Sequence, residues 1–216
     1  VHGGTGTIFA VVKARGMWFG GLFPIIFVVS AMVSGTALLM AINYWQARGA
    51  GRKPDKPLLT GLSTVLLGAI LIEILLTFYE FIVPLLSFQE NDTGIINIQT
   101  TGPYAWTFWI LQLGLGMIIP AIILLSPLKR RLGWVVAAAM MVVVGIVGVR
   151  FNIVVPPLIP PIIDGYPFNN YFPTIHEWLL VVFFVAGGAL LYSLVSEWQP
   201  IHEPESQTET DTEVAA

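Results

Sequence analysis

The residues in this sequence best placed to do chemistry are acids set inside long apolar runs. Glu73 lies near the middle of one run, and Glu80 follows seven residues later. At 3.6 residues per turn, positions 73, 77 and 80 share a helical face, so Glu73, Thr77 and Glu80 form a polar stripe. A charged group at the centre of a membrane helix costs about 2.5–3.5 kcal/mol on insertion scales, which makes such a stripe a default functional candidate. Arg150 and Asn152 fall in the outer part of a later run, at a depth comparable to Glu80. Gln112 sits within another run, and His176 and Glu177 open the last.

Two roles fit these residues, and they are compatible. In one, Glu73 and Glu80 hand protons along a half-channel, with Thr77 between them and Arg150 tuning one acid. Burial disfavours a charged carboxylate and a nearby cation favours it, so two such acids can be poised differently. In the other, Arg150 pairs with Glu80 or Glu177 and ties helices together, with Asn152 and His176 as further helix-tying or outer-surface groups. Metal chemistry finds no support. Cysteine is absent, which excludes disulfides, thiolate metal sites and cysteine-ligated clusters. His2, His176 and His202 stand at the start, at a boundary and in the tail, so no bis-histidine haem is expected. No nucleotide-binding loop is present.

The elements that must hold these groups are membrane spans. Of the 216 residues, 56% are hydrophobic and only 11% are charged, and the mean hydropathy is +0.79. Soluble domains carry about 25% charged residues, so a soluble fold of this size has too few charges to cover its surface. Five apolar runs, near 17–45, 58–88, 104–126, 132–155 and 174–198, are each long enough to cross a bilayer, and none alternates like a barrel strand. The fold class expected is therefore all-α, a polytopic transmembrane helical bundle over residues 1–200. Aromatic residues near the run ends, among them Trp18, Trp45, Tyr104, Trp109 and Trp134, read as interfacial anchors.

Direction follows from the bases. Arg48, Arg52, Lys53 and Lys56 lie in one link and Lys129, Arg130 and Arg131 in another, against Lys13 and Arg15 on the opposite side. Positive charge stays inside, so the N-terminus is expected outside and the C-terminus in the cytoplasm. The segment 201–216 is acidic and polar and reads as a disordered cytoplasmic tail. A net charge of −3 gives no electrostatic case for nucleic acid. Small residues, including Ser30, Ser34, Gly35, Gly114, Gly116, Gly145, Gly148, Gly187 and Gly188, permit close helix approach. Pro24 and Pro120 are candidates to kink their helices. The stretch from Pro156 to Pro173 holds six prolines and reads as an extended, stiff outer loop, a docking surface or a segment lying along the membrane.

The order of local motifs then resembles a known family. His2-Gly-Gly-Thr-Gly-Thr-Ile-Phe9, Arg15-Gly-Met-Trp18, Leu22-Phe-Pro-Ile-Ile-Phe27 and the stretch from Ser30 to Gly35 are similar to the second half of NrfD/PsrC-type membrane subunits. Arg150-Phe-Asn-Ile-Val154, the proline-rich loop, Tyr171-Phe-Pro-Thr174 and Glu177-Trp178 resemble that family's closing helix pair. The resemblance implies a quinone-reactive subunit in a prokaryotic cytoplasmic (inner) membrane, non-catalytic by itself. It would exchange electrons between menaquinone or ubiquinone and an extrinsic ferredoxin-like iron–sulfur subunit attached to a catalytic subunit. Family members carry an earlier helical bundle that supplies much of the quinone pocket, so a preceding segment or a separate chain would provide it here. Among the residues in this chain, His2 is the quinone-proximal candidate, and Glu73, Thr77, Glu80 and Arg150 would serve the proton side. Half of a secondary transporter or channel, or a passive membrane anchor, are the rival readings. The cost of burying Glu73 counts against the anchor, and the lack of a visible internal repeat counts against the transporter.

Overall fold

The computed structural model describes residues 2–87, 90–161, 171 and 173–198. The segment expected to be a disordered tail, 201–216, lies outside the described residues. All regular elements among the described residues are helical: α1 (His2–Ala10), α2 (Leu22–Gly49), α3 (Lys56–Ser87), α4 (Glu90–Thr100), a π-helical stretch (Thr107–Ile118) that continues as α5 (Ile119–Leu125), a 3-10 turn (Pro127–Arg130), α6 (Leu132–Leu158) and α7 (Ile175–Trp198). Five of these helices are long and apolar enough to cross a membrane: Leu22–Gly49, Lys56–Val83, Thr107–Leu125, Leu132–Leu158 and Ile175–Ser196. The chain divides into two units, Val1–Asn170 and Tyr171–Ala216.

In the first unit, α2, α3, α5 and α6 pack around Val33, Met40, Leu66, Ile70, Met117 and Val142. The closest approach joins the π-helical stretch to α6. A Cβ on Gly145 would overlap the Gly116 backbone, and one on Gly148 would run into Leu111 and the Gln112 amide. Only glycine fits there, as small-residue packing in membranes requires. Gly35, Gly187 and Gly188 have open space around them instead, so they do not serve close approach within their units. Pro24 sits in the first turn of α2, where a missing N–H costs little, whereas Pro120 comes just after the π-helical stretch that continues as α5. Trp45, Trp109 and Trp134 are exposed. Trp18 and Tyr104 are buried and do other work.

Two segments beyond the five expected runs turn out helical. The polar link after α3 forms α4, whose end is held by the Trp109 Nε1–H donating to Thr100 O at 2.9 Å. The larger correction concerns Pro156 and Pro157, which belong to α6 rather than to an extended loop. A helical proline leaves the carbonyl four residues earlier without its N–H partner. For Pro156 and Pro157 those carbonyls belong to Asn152 and Ile153. Gln99 Nε2 donates to Asn152 O at 2.7 Å, and Trp18 Nε1 donates to Ile153 O at 2.7 Å. Both stranded acceptors are thus satisfied by side chains from elsewhere in the unit, and the helix continues. Beyond its end, Arg15 Nη1 donates to Pro160 O at 2.6 Å, fastening the 11–21 connection to the same rim.

In the second unit, α7 starts with a capping box. The Thr174 N–H donates to Glu177 Oε2 at 2.6 Å, the reciprocal arm of a Thr-x-x-Glu start. Tyr171 also hydrogen-bonds Glu177, and this bond holds the tyrosine hydroxyl above its ordinary pKa.

Candidate functional site

The period of α3 sets the site. Glu73, Thr77 and Glu80 lie on one face, with Glu73 only 3% exposed and Glu80 half-buried. All three line a cavity of about 10 Å3, room for about one water. Gln99 from α4, Gln112 from the π-helical stretch and Asn152 from α6 close it from the other sides, with Ile26, Phe81, Val149 and Ile153 as apolar wall. A π-helix is rare, usually a single-turn bulge near a functional site; this one carries Gln112 into the cavity wall.

One half of the cavity is a closed hydrogen-bond node. Asn152 Nδ2 donates to Gln112 Oε1 at 2.8 Å. The Thr107 hydroxyl lies 2.6 Å from Asn152 Oδ1 and 2.7 Å from Tyr104 O, with one proton to share. The Asn152 carbonyl receives Gln99. Asn152 therefore joins α4, the π-helical stretch and α6 through both its side chain and its main chain.

The other half is open. Glu73 Oε1 and Gln99 Oε1 are buried without a hydrogen-bond partner in the protein. Ser30 of α2 is adjacent to Glu73, and Glu80 lies within its electrostatic reach. Thr77 contributes only a weak contact, its hydroxyl 4.0 Å from Met117 Sδ. Glu80 also lines a second, larger cavity of about 250 Å3, formed by residues 16–23 with Ile26, Tyr79 and Val83. The upper acid of the stripe thus borders both spaces, while Glu73 borders only the inner one.

Arg150 departs from the expected ion pair with Glu80. Its guanidinium lies over the Phe27 ring at 4.5 Å, within electrostatic reach of Glu73, and Nη1 is buried with no hydrogen-bond partner. An aromatic face stabilises a desolvated guanidinium, so Phe27 takes the place of the carboxylate partner. His2 opens α1 and is exposed. A Cβ on Gly3 would meet Val28, and one on Gly6 would press on Pro24, so α1 runs antiparallel to α2. That register sets His2 at the level of the Val28–Met32 turn, which also contains Ser30. Glu177 is occupied by the start of α7, and His176 is exposed beside it.

Sequence reasoning did not identify Ser30, Gln99, Thr107 or Phe27 as site residues. For Gln99 and Trp18 a signal existed: counting four residues back from each helical proline names a carbonyl that must find a donor.

Comparison with known proteins agrees with the motif order. The family model for polysulphide reductase, NrfD, matches residues 1–160. A selenate reductase subunit from Mesobacillus selenatarsenatis is 34% identical over 215 residues, covering 96% of this chain and 50% of the relative. The Hdr-like menaquinol oxidoreductase integral membrane subunit of Archaeoglobus fulgidus is 28% identical over 221 residues, covering 91% of this chain and 55% of the relative. The chain spans about half the length of these relatives.

Proposed function

The chain belongs to the NrfD polysulphide reductase family, and on that premise we propose that it is a membrane subunit passing electrons between the quinone pool and an extrinsic iron–sulfur subunit. That subunit in turn serves a catalytic subunit. Menaquinone is the favoured substrate, because one relative is by name a menaquinol oxidoreductase. The half of the relatives that this chain does not match would supply most of the quinone pocket, with His2 as the candidate in this chain to border it. The protein lies in a prokaryotic cytoplasmic membrane, with its N-terminus outside and the seven-base end in the cytoplasm.

Quinol oxidation releases two protons with its two electrons, and the buried acids give them a route. The observation that carries this reading is Glu80 lining both cavities, with Glu73 at the inner one. Protons pass between Glu73 and Glu80, about 10 Å apart along two helical turns, across a space the size of one water and out to the larger cavity. Ser30 faces Glu73 from the helix turn level with His2, so it connects the quinone side with the acid side. Arg150, held on Phe27, biases Glu73 by its field.

The test is Glu73→Gln and Glu80→Gln in the intact complex, with quinone-linked turnover, proton release and subunit assembly all measured. Turnover should fall about a hundredfold for Glu73→Gln, the scale of a lost acid–base group, with assembly retained. Full turnover and proton release in both variants would leave a passive anchor as the reading.

A further inference from the structure

A third cleft lies at the opposite end of the first unit and shares no lining residue with the two cavities around the acids. It measures about 460 Å3 and is lined by Tyr44, Arg48, Gly51, Arg52, Lys53, Pro54, Leu132 and Gly133. Three of those side chains are cationic and none is acidic. Local backbone chemistry places them. Helix α2 ends in a Schellman motif: the Gly51 N–H donates to Arg48 O at 3.1 Å and the Arg52 N–H to Ala47 O at 2.8 Å. Gly51 takes φ +70°, a conformation that side-chain-bearing residues rarely adopt. This turn sends Arg52 and Lys53 back beside Arg48. It also consumes the carbonyls at the end of α2, which would otherwise repel an anion.

The opposite wall is the first turn of α6. No side chain caps this helix at Arg131; the Arg131 and Trp134 N–H groups bond Leu128 O and Arg131 O, which leaves those of Leu132 and Gly133 free of backbone partners. The nearest acid in sequence, Asp55, is engaged elsewhere, accepting from the Leu58 N–H at 3.2 Å at the start of α3. Arg48 is held over the Tyr44 ring at 5.6 Å, so one cation is oriented before any ligand arrives.

We propose that this cleft binds a phosphate group, and that its occupant is the headgroup of an anionic phospholipid. The cations and the α6 amides are complementary to a phosphodiester. The depth favours a lipid: the exposed Trp45 and Trp134 mark the headgroup level beside the cleft, and Leu38 and Leu39 are exposed further along α2 for acyl chains to cover. The cleft also lies at the base-rich end, which carries seven of the ten Lys and Arg residues.

The experiment is native mass spectrometry of the complex in detergent, titrated with phosphatidylglycerol, with phosphatidylcholine, or with inorganic phosphate alone. Wild type should retain phosphatidylglycerol over phosphatidylcholine, and Arg48→Gln, Arg52→Gln and Lys53→Gln should each lower its retention about fivefold. Lys129→Gln with Arg130→Gln, exposed bases outside the cleft, should leave retention unchanged. An equal loss in that control would mean diffuse surface charge and overturn the site. Displacement of the lipid by millimolar inorganic phosphate would assign the cleft to a free anion instead. Loss of a protein subunit from the cleft variants, with lipid retention unchanged, would make it a protein contact and overturn the lipid.

Discussion

The prolines of α6 give a test that isolates one hydrogen bond. Gln99 is 2% exposed and its amide donates to the carbonyl that Pro156 leaves unpaired. Gln99 Oε1 has no partner, so Gln99→Leu strands only Asn152 O. An unsatisfied buried acceptor costs about 1–3 kcal/mol. For a chain of this size each kcal/mol lowers the melting temperature by about 2–4 °C, giving a fall of a few to about ten degrees. In a Pro156→Ala background the new Ala N–H can bond Asn152 O in the ordinary helical way, and Gln99→Leu then has little left to break. The effect of Pro156→Ala on the unfolded chain enters both arms of the cycle and cancels. Thermal unfolding followed by tryptophan fluorescence on the four proteins supplies the numbers, with a coupling of about 1 kcal/mol expected. An equal fall from Gln99→Leu in both backgrounds would refute the reasoning, because Gln99 would then act through packing and not through that carbonyl.

The same logic applies one residue on: Trp18→Phe should destabilise the protein, and Pro157→Ala should rescue it while leaving a Gly145→Ala defect uncorrected. Gly145→Ala should itself cost about 1–3 kcal/mol as overpacking against Gly116, whereas Gly35→Ala, with nothing near its Cβ, should be neutral or slightly stabilising in the same melts. Glu177→Ala should speed amide hydrogen exchange at Thr174 and the first turn of α7, with no change in quinone-linked turnover. Phe27→Leu should remove the ring beneath Arg150 and shift the pH profile of turnover, while Phe27→Tyr, which keeps a ring face, should restore it.

The spans were legible because membrane thickness makes length a strong signal, and five apolar runs could hardly be anything else. The Glu73–Thr77–Glu80 stripe was legible from helical period alone. What escaped was everything that depends on a partner far along the chain. The segment holding Gln99 is mostly polar, with Ile95, Ile96 and Ile98 as its apolar residues, and is too short to announce itself by length as the spans do. Proline density argued for an extended rim, since the rule against helical proline assumes the stranded carbonyls stay stranded. Here Gln99 and Trp18 remove that penalty. The π-helical stretch has no sequence rule behind it; its Gly114 and Gly116 predicted close packing but not the wider turn. The expected Arg150–Glu80 pair failed because charge alone was considered, and the ring of Phe27 offers a cation a partner that no charge count includes.

The division of the inner cavity into two halves bears on function. Around Asn152 the polar groups meet one another: Thr107, Gln112 and Gln99 all close on it within 2.6–2.8 Å. Such a network rigidifies, because each member would strand another if it moved. Around Glu73 the opposite holds: Ser30 lies against the acid, but Glu73 and Gln99 each keep a buried Oε1 unmatched and Arg150 a buried nitrogen. Burial without a partner is costly, and a purely structural cluster would be expected to close as the Asn152 node does. Asn43 Oδ1, further along α2, is also buried without a partner, but the others lie about the inner cavity, where the space of one water and the two acids of α3 are found. On the reading proposed above, that placement suits a group exchanging protons with water, and α3 itself holds the two acids two turns apart.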